Sequence, residues 1–126
     1  MPRRPLIIYY ECLDNGIDAS YSTILDNLEN NDVHFASLDS FSDAYQMHVA
    51  TAGLSASSRS LIIVDSRNGK TITGLISLLN LLRTNDDHLL WLGKHDFADK
   101  AIAMVGGQRV SETQLKGQLI SWIHRS

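Results

Sequence analysis

The stretch Ser60-Leu61-Ile62-Ile63-Val64-Asp65 is an uninterrupted aliphatic run that ends in a carboxylate and is followed by the turn-like Ser66–Lys70. It is too short for a typical helix and has no polar face, so it predicts a strand buried on both sides. Strands of that kind belong to parallel sheets covered by helices, which demands alternating helix and strand around it. Downstream, Ile72, Leu75, Ile76, Leu79 and Leu82 lie at helical spacing across Thr71–Leu82. Asn85-Asp86-Asp87 separates them from a second apolar run, Leu89-Leu90-Trp91-Leu92. Upstream, Leu6-Ile7-Ile8-Tyr9-Tyr10, bounded by Pro5 and Asp14-Asn15-Gly16, predicts another buried strand. Tyr21, Ile24, Leu25 and Leu28 predict an amphipathic helix over Ser20–Asn30. Val33–Leu38 alternates as a strand, and Asp39 or Ser40 is placed to cap a helix over Ala44–Ala52.

Toward the end of the chain, Asp96 is placed to cap a helix carrying Phe97, Ala101, Met104 and Val105, which Gly106-Gly107 stops. A strand over Ala101–Val105 is the less favoured reading. Gln108-Arg109-Val110 then forms a short last strand, and Ser111-Glu112 opens a final helix with Leu115, Leu119, Ile120 and Ile123 on its apolar side. The order is βαβαβαβαβα. Such alternation with short connections calls for a flavodoxin-like doubly wound sheet of five parallel strands flanked by helices. Functional groups in this architecture gather beyond the carboxyl ends of the strands. Here those ends are Glu11–Asp14, Asp65–Asn68, Gly93–Asp96 and Ser111–Glu112.

The length of 126 residues fits one domain, residues 1–126, either a small protein in itself or a domain of a longer protein. Apolar residues at 44% and charged residues at 20% place the chain among globular domains. A formal net charge of −3 offers no basic surface for nucleic acid or anionic lipid. The single cysteine, Cys12, precludes an internal disulfide, and no run approaches the ~20 apolar residues that span a bilayer. The basic start at Met1–Leu6 is followed by too short an apolar run for a signal peptide, so a cytoplasmic location is expected.

A strand ending in a single Asp, then a loop and an amphipathic helix with Gly74 nine residues on, resembles the receiver domain of bacterial response regulators. The resemblance spans nearly the whole chain in outline and implies that Asp65 stands at the phospho-acceptor position. The chain departs from that family at its other conserved-chemistry positions. Receivers end the first strand with an acidic pair that holds magnesium, and here Tyr10-Glu11-Cys12 retains only Glu11. Magnesium needs several oxygen ligands, so its binding should be weak. The family's Ser or Thr after the fourth strand falls near Gly93, and its Lys after the fifth falls near Ser111-Glu112. Phosphoryl transfer needs cations on the equatorial oxygens, and Lys94 is the remaining candidate to supply one. The chain therefore looks like a pseudo-receiver: a non-catalytic, two-component-type signalling module with an acidic pocket of Glu11, Asp14 and Asp65. It would act on another signalling protein, on another domain or on its own copy, with no cofactor beyond weak magnesium. Two alternatives remain: a receiver that still accepts phosphate at Asp65, and a small enzyme of the same fold using Cys12.

Cys12 lies on a loop before a helix, where a thiolate could attack phosphate, but Leu13-Asp14-Asn15-Gly16-Ile17-Asp18 brings two acids and no Arg. His34, His48, His88, His95 and His124 meet no metal-site spacing and are expected at the surface. Trp122, with Leu119 nearby, is expected at the edge of the last helix as a partner surface, with ordinary core packing as the alternative.

Overall fold

The computed structural model describes residues 5–14, 33–72, 74–83 and 86–124. Their elements run β1 (Leu6–Glu11), β2 (His34–Asp39), α1 (Ala44–Ala56), β3 (Ser60–Asp65), α2 (Leu75–Leu79), β4 (Asp87–Leu92), α3 (Ala98–Val105), β5 (Gln108–Val110) and α4 (Glu112–Ile123). The five strands form one sheet in the order β2-β1-β3-β4-β5, and every neighbouring pair is parallel. This is the flavodoxin-like order, whose direction of winding reverses between β1 and β3.

All six residues of β1 and all six of β3 are buried, which explains why their sequences show no polar face. Ile8, Tyr10, Ile62, Val64, Leu89 and Trp91 point to one side and pack with Leu54 of α1, Leu75 and Leu78 of α2, and Ala98 and Ala101 of α3. Ile7, Tyr9, Leu61, Ile63, Leu90 and Leu92 point to the other and meet Leu115, Leu119 and Trp122 of α4. No helix among the described residues is long and apolar enough to cross a membrane.

Several expectations need correction. The helix expected over Ser20–Asn30 lies outside the described residues. Asp43, rather than Asp39 or Ser40, caps α1: its carboxylate accepts from the Gln46 amide while the Gln46 side chain accepts from the Asp43 amide. That helix runs four residues beyond Ala52, to Ala56. The helix expected over Thr71–Leu82 shrinks to Leu75–Leu79, because Gly74 takes a left-handed φ of +76° just before it. Asp96 does not cap α3, which starts after Phe97 without a side-chain cap; instead His95 Nδ1 accepts from the Phe97 amide. Gly106 does stop that helix at φ +74°, and Ser111 caps α4 through a reciprocal pair with Gln114. Leu119 and Trp122 are not a surface: they are 1% and 4% exposed and belong to the core under α4. Arg59 covers the Trp122 ring at 4.0 Å and donates to the Trp122 carbonyl at 2.7 Å.

The amino ends of β3 and β4 are tied by a buried charge. Asp87 accepts Arg83 Nη2 at 2.9 Å and Nε at 3.0 Å, and also the Ser60 hydroxyl at 2.8 Å. The same guanidinium reaches the Ser57 carbonyl at 3.1 Å, fixing the end of α1 to the start of β4. Removing Arg83 strands the Asp87 carboxylate in the interior. Because the Arg83 side chain is 34% exposed, the cost of Arg83→Ala should fall below that of a fully buried pair, at about 2 kcal/mol. Urea unfolding checks this, and an unchanged midpoint would contradict the role assigned to the pair.

Candidate functional site

The site lies where the winding reverses, beyond the carboxyl ends of β1 and β3. Glu11 and Asp65 are register partners on adjacent strands, and both are fully buried. Two adjacent carboxylates inside a protein require cationic or hydrogen-bonded compensation. Asp65 obtains both. Arg67 Nε donates to Oδ1 at 3.0 Å and Arg67 Nη2 to Oδ2 at 2.9 Å, a two-pronged pairing, and the Arg67 amide adds a third bond to Oδ1 at 3.0 Å. Tyr9, two residues back along β1 on the same face, donates its hydroxyl to Oδ2 at 2.5 Å. The Asn68 side-chain Nδ2 donates to Glu11 Oε1 at 3.5 Å. Arg67 Nη1 also lies 3.4 Å from Glu112 Oε2 at the start of α4.

The positive charge beside Asp65 thus comes from Arg67 rather than from the fifth-strand position, where Glu112 stands, or from Lys94. Lys94 is exposed, and its carbonyl accepts from the Ser66 hydroxyl at 3.2 Å. Gly93 has a steric reason. It sits at φ +100°, and a Cβ there would lie 3.0 Å from both the Arg67 amide nitrogen and Ser66 Oγ. A side chain at this position would push against the turn that brings Arg67 back onto Asp65. Trp91 supports the same turn by donating its indole N–H to Ser66 Oγ at 2.9 Å.

The loop after β3 closes over the loop after β1. Asp14 is exposed and accepts from the Lys70 amide at 2.9 Å, the Thr71 amide at 3.1 Å and the Thr71 hydroxyl at 3.0 Å. These bonds, led by that from Lys70, hold its carboxyl below the usual range. Ser40, following β2, accepts from the Leu13 amide at 2.9 Å and donates to the Thr71 carbonyl. A Cβ on Gly69 would lie 2.7 Å from both the Asp14 nitrogen and the Cys12 oxygen, so only glycine permits this approach. Where the winding reverses, the backbone after β3 thus lies directly against the backbone after β1.

Of the residues singled out from the sequence, Glu11 and Asp65 come together, whereas Asp14 faces the Lys70–Thr71 amides. Among the described residues, no three His, Cys, Asp or Glu side chains form a group that could hold a metal ion. Cys12 lies fully buried in the core on the other face of the sheet, its amide donating to the Asp65 carbonyl at 2.8 Å. Burial foremost, then Asp65, Asp14 and Glu11, push its thiol up to about 12. Tyr9, Arg67, Ser40 and Gly69 had no part in the sequence reading of the site. The one sequence signal was an Arg two residues past the strand-end Asp, the separation that lets a guanidinium fold back.

Burial by itself would raise the Asp65 carboxyl, but the Arg67 and Tyr9 hydrogen bonds outweigh it and hold the group below its usual range. Tyr9 moves the opposite way, raised by burial and by its bond to Asp65. No family model matches the chain, and no curated protein matches it in sequence. Among solved structures, a metal-soaked flavodiiron core from Synechocystis sp. PCC6803 is similar over 90% of this chain, at 13% identity and a TM-score of 0.48. This chain spans 33% of that protein's length.

Two outcomes follow from the geometry. A carboxyl whose folded pKa is depressed adds stability that is complete above its unfolded value, about 3.9, and is lost as pH falls through the folded value. Urea titrations from neutral pH downward should therefore show stability falling below about pH 4, with a shallower fall in Asp65→Asn; parallel curves for the two proteins would refute the Asp65 contribution. Cys12 should resist a thiol-reactive disulfide reagent at neutral pH until the protein is unfolded. Rapid stoichiometric labelling of the folded protein would show the thiol to be open.

Proposed function

We propose that this chain is a non-catalytic, receiver-like signalling module that acts through contacts with another protein, another domain or its own copy, without efficient phosphorylation. The observation that carries this reading is the occupation of both Asp65 oxygens by Arg67 and Tyr9. An aspartate that accepts a phosphoryl group must present a free oxygen to phosphorus and share a magnesium ion with neighbouring carboxylates. Here the first requirement competes with the Arg67 fork and the second is left to Glu11. Releasing two charge-assisted hydrogen bonds costs about 4 kcal/mol, which is on the order of a thousandfold in the population of a competent state. The closed 66–72 loop adds to that cost, since Gly69 and Thr71 are held against Cys12–Asp14 and Ser40.

The phospho-accepting alternative requires those same bonds to open. The Cys12 alternative requires a thiolate, and a buried thiol among carboxylates remains protonated at neutral pH. On this reading the module acts through its surface.

Incubation with acetyl phosphate and magnesium, read by intact mass, should leave the protein unmodified. Amide NMR signals of Glu11, Asp65 and Arg67 should stay in place on addition of magnesium with beryllofluoride, an acyl-phosphate mimic. Saturable shifts at those residues, or a phosphorylated species lost in Asp65→Asn, would establish phospho-acceptor chemistry and overturn the proposal.

A further inference from the structure

The peptide that joins Lys70 to Thr71 is gripped from both sides. Asp14 accepts from its amide at 3.1 Å, and His95 Nε2 lies 2.7 Å from its oxygen, the Lys70 carbonyl. The other ring nitrogen of His95, Nδ1, accepts from the Phe97 amide at 2.9 Å, one residue before α3 begins. One imidazole thus ties the loop that closes beside Asp65 to the start of the helix after β4. Its partners also fix its protons. A carbonyl only accepts and an amide only donates, so Nε2 carries hydrogen and Nδ1 is bare. Only the neutral ring makes both bonds.

We infer that His95 is a proton-sensitive latch on the 66–72 loop: neutral, it holds the loop closed, and on gaining a proton it lets go. The second proton has no place but Nδ1, where it points at the Phe97 N–H. A hydrogen bond is then replaced by a contact between two donors. The ring also stands at the amino end of α3, whose dipole disfavours a cation. Swinging the imidazolium into water relieves both contacts and carries Nε2 away from Lys70. The Thr71 amide, in the same peptide plane, is then held by Asp14 alone.

The charged groups around the ring leave this balance in place. Lys70, on the loop side, is a second cation, and Lys94 and Asp96, which flank the ring in the chain, are exposed and opposite in sign. From α3 comes Asp99, already taken by Arg109 at 2.6 Å. From β4 the Trp91 ring approaches to 5.6 Å between centroids, tilted by 50°. Asp14 is held below the usual carboxylate range, so it stays charged over the interval in which histidines titrate, and the two grips on the peptide release at different pH. The inference concerns the loop and stands apart from the contact-module reading, which phosphorylation tests.

If the closed ring takes no proton and the open ring behaves as an ordinary histidine, with a value of about 6.5, a drop from about pH 7.5 to about pH 5.5 raises the open population about tenfold. Amide hydrogen exchange on the full chain, divided by the intrinsic rate at each pH, should show protection of Thr71 and Phe97 falling by about that factor. Protection of Ile63 in β3 should stay in place. His95→Asn keeps a short acceptor for the start of α3 but gains no proton, so its Thr71 and Phe97 protection should not vary with pH, whatever its level. Long-range nitrogen NMR of the unaltered protein should find the ring hydrogen on Nε2 at about pH 7.5. Hydrogen on Nδ1, protection independent of pH, a fall shared equally by Ile63, or an unchanged pH response in His95→Asn each overturns the inference.

Discussion

The pairing of Arg67 with Asp65 governs the whole carboxyl end of the sheet. Strand pairing alone sets Glu11 beside Asp65 in the interior, and two uncompensated carboxylates there would cost several kcal/mol, about the margin of a small domain. To deliver its guanidinium, the chain must turn back immediately after β3. That turn requires Gly93 to make room and Ser66 to anchor to Trp91 and to the Leu92 carbonyl at the end of β4. The returning loop then lands on Cys12–Asp14, where Gly69 allows contact and Asp14 fixes the Lys70 and Thr71 amides. Helix α2 starts only after this closure, which is one reason it is short.

Much of the fold was legible because burial on both faces erases alternation. The aliphatic runs at 6–10 and 60–65 therefore reported parallel strands directly, and the turn residues between runs marked the connections. Helix extents were less legible for two opposite reasons. The apolar positions from Ile72 to Leu82 keep helical spacing through Gly74, yet Ile72 reaches the core from the loop, so the periodicity overstated the helix. In α1, exposed Tyr45 and Val49 blur the contrast between its two sides, so no clear stripe marked the end at Ala56. The site divided in the same way. Asp65 was visible as the acid that ends a buried strand. Arg67 was hidden, because an arginine in a polar turn reads as solvated, and its spacing of two residues from Asp65 is a faint signal beside that. Tyr9 was hidden inside a hydrophobic run, where its hydroxyl passed unnoticed beside its ring. Trp122 misled because its place on the helix surface depends on how α4 rolls against the sheet, which sequence periodicity leaves open by a residue or so.

The same device recurs at the other end of the sheet, where Arg83 forks onto buried Asp87 and Ser60 completes the carboxylate's shell. Each end of β3 thus carries a fork between an arginine and an aspartate close in sequence, two residues apart at the carboxyl end and four at the amino end, where the aspartate belongs to β4. Both forks sit at the rim of an apolar sheet, where part of the guanidinium stays in water while the carboxylate does not. This arrangement suits arginine, whose planar head bonds along one edge and is weakly hydrated on its faces.

The two tryptophans mark these opposite ends. Trp91 is fully buried, its N–H bound to Ser66 next to Asp65 and its ring 5.6 Å from that of His95. Trp122 lies under the Arg59 guanidinium one residue before β3 begins, and its own N–H finds no partner among the described residues. Their emission colours should differ, since one indole dipole rests on a hydroxyl and the other beside a cation. The molecule therefore contains an optical label at each rim of its sheet, so that opening at one rim can be told from opening at the other without attaching a dye.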